Sequence, residues 1–316
     1  MKTILITGAA GFIGFHLSEK LSNYKNINLI LCDNFSNSKN DNYLKELKRK
    51  KNIKFIKIDL NSIKDVMNLP NADVVIHFAA INGTQNFYSN PLFVMYSSTV
   101  PTLNLLKRFS NIRQFIYAGS SEAYAGLIGK VEVKFPTDEK VPMGISENDN
   151  ARWSYAISKI HGEVAVANIC KQYSSNYTIL RFHNIYGPRM GTKHVIPDFL
   201  NRVKKEKFEL YGGRDTRSFL YINDAVEATI KTISKKNCFN KTINIGSNIE
   251  IEIHELGKKI LDILNIKKKI KIYPSPKGSV KRRLPNTNLL KKLTGWKEKT
   301  LLDDGLKKTI NFYLYE

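Results

Sequence analysis

Ile4-Leu5-Ile6-Thr7-Gly8-Ala9-Ala10-Gly11-Phe12-Ile13-Gly14 is an aliphatic run, then three evenly spaced glycines, then the start of an amphipathic stretch. That order reads as strand, tight turn and helix. Glycine lets the backbone turn sharply and come close to a pyrophosphate, and the first N–H groups of the helix are free to bind that anion. The spacing is GxxGxxG rather than GxGxxG, and a lone glycine triplet arises often by chance. Its meaning therefore depends on the rest of the chain.

Beyond Gly14 the chain alternates strands and helices. Segments 2–7, 27–33, 53–59, 74–78 and 115–118 read as buried strands, and segments 12–22, 90–109 and 155–173 read as amphipathic helices. Such alternation implies parallel βαβ units and an α/β fold with a Rossmann-type doubly wound sheet. The second half is less regular. A strand at 179–182 leads into a Gly/Pro-punctuated stretch from 187 to 197. Helices at 199–205, 224–233 and 303–313 are expected, with a strand near 208–211. The expected division is a dinucleotide-binding domain over residues 1–180 and a smaller, mainly substrate-binding domain over 181–316, some of whose segments return to the first.

Within that frame several residues carry chemistry. Asp33 closes the second strand, where a carboxylate accepts hydrogen bonds from the adenosine ribose hydroxyls and repels a 2′-phosphate; this favours NAD over NADP. Asp59 and Leu60 come at the end of the third strand, placed to meet the adenine edge. Tyr155 and Lys159 are i,i+4 neighbours on one helical face. A free tyrosine titrates near pH ~10. A nearby ammonium and an oxidised nicotinamide both favour the phenolate, so Tyr155 reads as a base. The strand ending Tyr117-Ala118-Gly119-Ser120-Ser121-Glu122 puts hydroxyls and a carboxylate where open α/β sheets bind ligands. There Ser120 can hydrogen-bond the reacting oxygen, and Glu122 can remove a proton beside a newly made carbonyl.

Bulk properties narrow the class. The 316 residues suffice for a large core, and the net charge is +22. Of 50 basic residues 39 are lysine, spread with many Asn and Ile, so the charge reads as a compositional bias on solvated faces. The expectation is no nucleic-acid partner and no membrane. No apolar run approaches the ~18–20 residues a membrane span needs, no segment reads as a signal peptide, and Cys32, Cys170 and Cys238 lack metal spacing. A cytoplasmic setting without a metal site is expected.

Together the motifs resemble the extended short-chain dehydrogenase/reductases that modify nucleotide sugars, the NAD-dependent epimerase/dehydratase family. The likeness covers nearly the whole chain. It rests on residues 7–14, His77-Phe78-Ala79-Ala80, the serine strand, Tyr155/Lys159, the 181–188 stretch, Thr216-Arg217-Ser218-Phe219, Arg282-Arg283-Leu284-Pro285-Asn286 and Leu293-Thr294-Gly295-Trp296. The resemblance implies a catalytic set of Ser120, Tyr155 and Lys159, joined by Glu122. It implies an NAD site formed by Gly8, Gly11, Phe12, Ile13, Gly14, Asp33, Asn34, Asp59, Leu60, Ala79 and Ala80 with Tyr155 and Lys159. It further implies a nucleotide-sugar site using Ser121, Arg152, Asn184, Arg217 and Arg283, and a homodimer built through the 90–109 and 155–173 helices. There is one departure. Ser98 and Pro101 stand where relatives carry the Asn and Gly of Asn-x-x-Gly-Thr, which implies a kinked helix there.

The reaction implied begins with Tyr155 taking the C4 hydroxyl proton as C4 is oxidised. The ketone then permits epimerisation, removal of the C5 proton with loss of water from C6, or loss of a C6 carboxylate as carbon dioxide. Glu122 points to chemistry continuing at C5 or C6, with a dehydratase or epimerase favoured over a UDP-glucuronate-type decarboxylase or a simple C4 dehydrogenase. A catalytically silent NAD-binding or RNA-binding protein is the alternative from another class; the intact Ser120, Tyr155 and Lys159 argue against it.

Overall fold

The computed structural model describes residues 1–275 and 279–315. Its strands are β1 (Lys2–Thr7), β2 (Ile27–Asp33), β3 (Ile53–Lys57), β4 (Val74–His77), β5 (Gln114–Ser120), β6 (Tyr177–Phe182), β7 (Ile185–Tyr186), β8 (Glu209–Tyr211), β9 (Thr216–Ser218), β10 (Leu220–Tyr221), β11 (Lys241–Ile245), β12 (Glu250–Glu252), β13 (Lys271–Tyr273) and β14 (Arg282–Arg283). The helices are α1 (Phe12–Leu21), α2 (Asn42–Lys48), α3 (Ile63–Met67), α4 (Thr84–Ser89), α5 (Pro91–Arg108), α6 (Glu122–Ala125), α7 (Trp153–Gln172), α8 (Val195–Val203), α9 (Ile222–Thr232), α10 (Ile253–Ile263), α11 (Asn288–Thr294) and α12 (Leu302–Tyr315).

Seven parallel strands in the order β11-β6-β5-β4-β1-β2-β3 form the central sheet. The order reverses between β1 and β4, so the carboxyl ends of these two strands flank the crevice in which a doubly wound sheet binds its ligand. The aliphatic runs that read as buried strands are buried on both faces: Ile4, Leu5, Ile6, Val74, Val75 and Ile76 are fully inaccessible. One apolar layer lies under α1, α9 and the second half of the chain, and another under α5 and α7.

Differences from the sequence reading have local causes. β3 stops at Lys57 rather than running to Asp59, because the Asp59 side chain turns the chain by accepting from the Asn61 backbone N–H at 3.0 Å. α8 begins at Val195 and takes Pro197 into its first turn, where proline's missing N–H costs nothing. α5 continues through Pro101, the position expected to kink it; Thr102 Oγ1 donates to the Ser98 carbonyl at 3.1 Å. β11 lies far along the chain yet forms an edge of the large sheet. The remaining short sheets are β12-β9-β14, β13-β8 and β10-β7.

Candidate active site

Gly8 has φ +66°, and a Cβ there would lie 2.7 Å from the Ala79 backbone nitrogen; Gly14 is packed against the Gly8 carbonyl. The glycine loop therefore turns directly over the end of β4. α1 begins after Gly11 with no side chain capping it, leaving its first N–H groups free. A cavity of about 200 Å³ opens here, lined by Gly8, Gly11, Asp33, Asn34, Asp59, Leu60, Ala79 and Ala80 among others. Phe12, Ile13 and Gly14 form the first turn of α1 beside it. The Asp33 carboxylate accepts from Ala10 N at 2.9 Å, Phe35 N at 2.8 Å and Ser38 Oγ at 2.9 Å, tying the glycine loop to the end of β2. Free helix N–H groups, a cleft that only glycine permits and a carboxylate at the end of β2 fit a dinucleotide.

Asp33→Ala should lower the NAD-to-NADP preference in kcat/KM by roughly 10–100-fold, the weight of one charge-assisted hydrogen bond. Steady-state kinetics with both cofactors check this, and an unchanged ratio removes the ribose contact.

β5 and α7 build the second half of the site. Tyr155 is 7% exposed and receives a hydrogen bond from Ser120. Burial raises its pKa strongly, the Glu122 charge adds to the rise and the Ser120 hydrogen bond opposes it, so these protein groups together hold Tyr155 as a neutral phenol. Phe87 of α4 stacks on it with ring centroids 5.0 Å apart, within an apolar cluster with Ile81 and Val94. Lys159 Nζ donates to the Ala118 carbonyl at 2.8 Å and lies 5.6 Å from the Tyr155 ring centroid. Burial brings Lys159 down to about 8, with Glu163 pulling the other way.

His77 is neutral and structural. Burial first, then Lys159, brings it down to about 3, and its ring nitrogens bond Thr7 Oγ1 at 2.7 Å and Thr102 Oγ1 at 3.0 Å.

Glu122 opens α6, and its side chain is 15% exposed. Arg283 Nη2 donates to Glu122 Oε1 at 2.6 Å, Arg283 Nη1 reaches Ser121 Oγ at 3.5 Å, and Arg152 Nη2 lies 3.5 Å from Glu122 Oε2. Burial alone would raise the Glu122 pKa, but Arg283, Arg152 and Arg217 together hold it below the usual carboxylate range. Arg217 donates to the carbonyls of Thr216 at 2.7 Å and Lys281 at 3.2 Å, and pairs loosely with Asp215 at 3.9 Å. Asn184, at φ +41°, donates to the Ser218 carbonyl at 3.1 Å. Ser120, Ser121, Glu122, Tyr155, Arg152, Arg217 and Arg283 thus converge, while Asn184 bonds to the backbone of β9.

The sequence reading missed Glu163. It grips Arg181 through hydrogen bonds of 2.8, 3.0 and 3.1 Å, with the two side chains 3% and 4% exposed. Its i,i+4 spacing from Lys159 was the available signal. Glu163→Gln should cost about 3–5 kcal/mol of stability by leaving Arg181 buried without its counter-charge. Urea unfolding of the variant checks it; a loss under about 1 kcal/mol, the scale of an exposed pair, overturns the assignment. Among the described residues no group of His, Cys, Asp or Glu is placed to hold a metal ion, and no helix is long and apolar enough to cross a membrane.

A doubly wound sheet with this glycine loop and a Ser/Tyr/Lys set defines a nucleotide-dependent oxidoreductase scaffold of the extended short-chain type. Residues 4–246 match the NAD dependent epimerase/dehydratase family, and the chain belongs to it. NAD is its cofactor. The UDP-N-acetyl-alpha-D-glucosaminuronate decarboxylase of Bacillus cytotoxicus is 34% identical over 99% of this chain and 98% of its own. The dTDP-D-glucose 4,6-dehydratase of Homo sapiens is 30% identical over 99% of this chain and 90% of its own. A solved UDP-glucose 4-epimerase of Thermotoga maritima, with UDP-glucose, superimposes with a TM-score of 0.87 at 26% identity, covering 98% of both chains. The chain is an enzyme of the nucleotide-sugar epimerase, dehydratase and decarboxylase group.

Proposed function

We propose that this enzyme oxidises C4 of a nucleotide-linked hexose to the ketone and then, through Glu122, exchanges or removes the C5 proton, giving epimerisation or loss of water. The observation that carries this reading is a largely buried carboxylate within the electrostatic reach of Tyr155, in a site that also presents three guanidinium groups. NAD, when bound, supplies the two-electron oxidant for C4 and, in its oxidised form, a positive charge. Tyr155 takes the C4 hydroxyl proton, Ser120 hydrogen-bonds the same oxygen and Lys159 offsets the phenolate charge. Phe87 keeps water from the phenol. Arg217 and Arg283, neighbours in register on β9 and β14, hold the diphosphate. β9, β14 and the segments of 181–316 beside them supply this substrate side, while β11 and α9 return to the central sheet and its covering layer.

One observation favours a second outcome. Arg152 lies three residues before Tyr155 with a buried Nε that has no protein partner, and a C6 carboxylate bound there leaves as carbon dioxide once C4 is a ketone. Mass spectrometry of products from UDP-, GDP- and dTDP-hexoses and UDP-glucuronate, with NAD, separates the cases. Loss of water establishes a dehydratase, unchanged mass with new retention an epimerase, and loss of carbon dioxide the second reading. No turnover of any sugar nucleotide sinks both.

The partner under the same reading is a second copy of this chain. α5 and α7 pack together and leave Leu92, Tyr96, Leu103 and Val164 exposed on their outer sides. Sedimentation velocity is expected to report a dimer, and a monomer ends this part of the proposal.

A further inference from the structure

Glu122 meets more positive charge than one carboxylate needs. Arg283 reaches it from β14 at 2.6 Å and Arg152 from the start of α7 at 3.5 Å, while Arg217 of β9 adds its field. Tyr155 of α7 and Tyr124 of its own helix also face it. The two nearest guanidiniums are 9% and 8% exposed, and the Nε atom of each is buried without a partner. Buried donors left open beside an ion pair mark a place built for another acceptor. Arg283 and Arg217 stand side by side in register, and burial followed by Arg283 brings Arg217 down to about 10. Two adjacent cations that destabilise each other in this way gain most from a doubly charged anion between them.

A guanidinium grips a carboxylate or a phosphate face best through two parallel N–H groups, and Arg283 gives Glu122 only one, from Nη2, so a diphosphate that engages two can displace the carboxylate. Resting on the reading that a nucleotide sugar occupies this site, we propose that Arg283 exchanges Glu122 for the diphosphate of the bound substrate, and that Glu122 takes the C5 proton only after this exchange. In that step the C5–H bond breaks and the proton passes to a Glu122 carboxylate oxygen. The electron pair forms the C4–C5 enolate, with its charge on O4, the atom that Tyr155 deprotonated earlier. Before substrate arrives, Arg283 keeps the carboxylate ionised, occupied and weakly basic. With its closest cation withdrawn, burial dominates and the carboxylate becomes a stronger base. Arg283 is thus a positioning residue for the base as well as a phosphate ligand. Binding energy gained at the diphosphate, remote from the reacting carbon, is expressed as rate at C5.

The test titrates the Glu122 carboxyl in the NAD-loaded enzyme by infrared difference spectroscopy, using protein labelled with 13C in its glutamate carboxyls and Glu122→Gln as the blank. UDP, GDP and dTDP are the probes, with binding measured separately by calorimetry. The nucleotide that binds is expected to raise the titration midpoint by about one pH unit or more, a tenfold change in proton affinity. In Arg283→Gln the midpoint should already be raised and should no longer respond. Arg283→Lys, which keeps the charge without the fork, serves if the glutamine variant does not fold, and it should show a reduced response. A nucleoside diphosphate that binds and leaves the wild-type midpoint unmoved overturns the exchange, since Arg283 then keeps Glu122 while its free Nε takes the phosphate. If none of the three binds, the nucleotide-sugar reading itself falls.

Discussion

Tyr155→Phe is expected to lower turnover by roughly 10²–10⁴-fold, the contribution of a positioned general base, while leaving NAD binding intact. The substitution removes only the hydroxyl. The ring remains stacked on Phe87 at 5.0 Å and buried beside Ile81 and Val94, so the fold loses little. Under the proposed mechanism the loss should fall on kcat, because there the phenol acts on the reacting oxygen and not on the diphosphate. The pH profile gives a second reading of the same group. Burial pushes the Tyr155 phenol up, so it needs a positive neighbour to act as a base near neutrality. Lys159 is that neighbour, and burial sets its proton loss at about 8. Below that value Lys159 is charged and favours the phenolate; above it the charge is lost, and kcat should fall along an alkaline limb. Glu163 raises the Lys159 pKa, so the Glu163→Gln enzyme, where it folds, should show that limb at lower pH. Stopped-flow reduction of NAD in single turnovers measures both effects. Undiminished turnover in Tyr155→Phe would remove Tyr155 as the base.

The residues legible in the sequence are those whose partners are close in the chain or whose conformation is a backbone demand. Gly8 was readable because β1 must turn over Ala79 at positive φ, Asp33 because it ends a strand beside that turn, and Tyr155 and Lys159 because helical spacing makes them neighbours. The sheet was readable from its inner strands, whose runs at 4–6 and 74–76 are apolar because both faces are covered, while the edge strand β3 carries exposed Lys54 and Lys57. What stayed hidden is set by long-range pairing. Arg283 and Glu122 are 161 residues apart, and no local pattern announces their 2.6 Å contact. Phe87 looks like any aromatic residue in a loop-rich stretch until α4 brings it onto Tyr155. β11 lies between Asn240, at φ +57°, and Gly246, which mark its ends but not its place at the edge beside β6. Glu122 was singled out for its place after the serine strand, but its two arginine partners, which decide how basic it is, emerge only when β14 and the start of α7 are assembled around it.

Glu122→Gln is the substitution that separates the two halves of the reaction. Its amide matches the carboxylate in shape and can still accept from Arg283, but it takes no proton at neutral pH. In the proposed mechanism C4 oxidation depends on Tyr155, Ser120 and Lys159 and should persist, so a 4-keto species and reduced cofactor should accumulate on the variant. Proton exchange at C5 should fall by roughly 10²–10⁴-fold, measured as deuterium incorporated from D₂O into product or into recovered substrate. The variant also removes a negative charge that raises the Tyr155 pKa, so its C4 oxidation should extend to lower pH than in the wild type. The stability cost has a definite sign as well. Burial works against the ionised Glu122, but its arginines outweigh it and lower the pKa in the folded chain. Its contribution to stability is therefore present above the unfolded carboxyl value of ~4.3 and is lost as pH falls through the lower folded one. The variant should be less stable than the wild type at neutral pH, by an amount that shrinks on acidification. Wild-type rates of deuterium incorporation in Glu122→Gln would show that another group removes the C5 proton and would leave Glu122 as the counter-ion of Arg283 and Arg152.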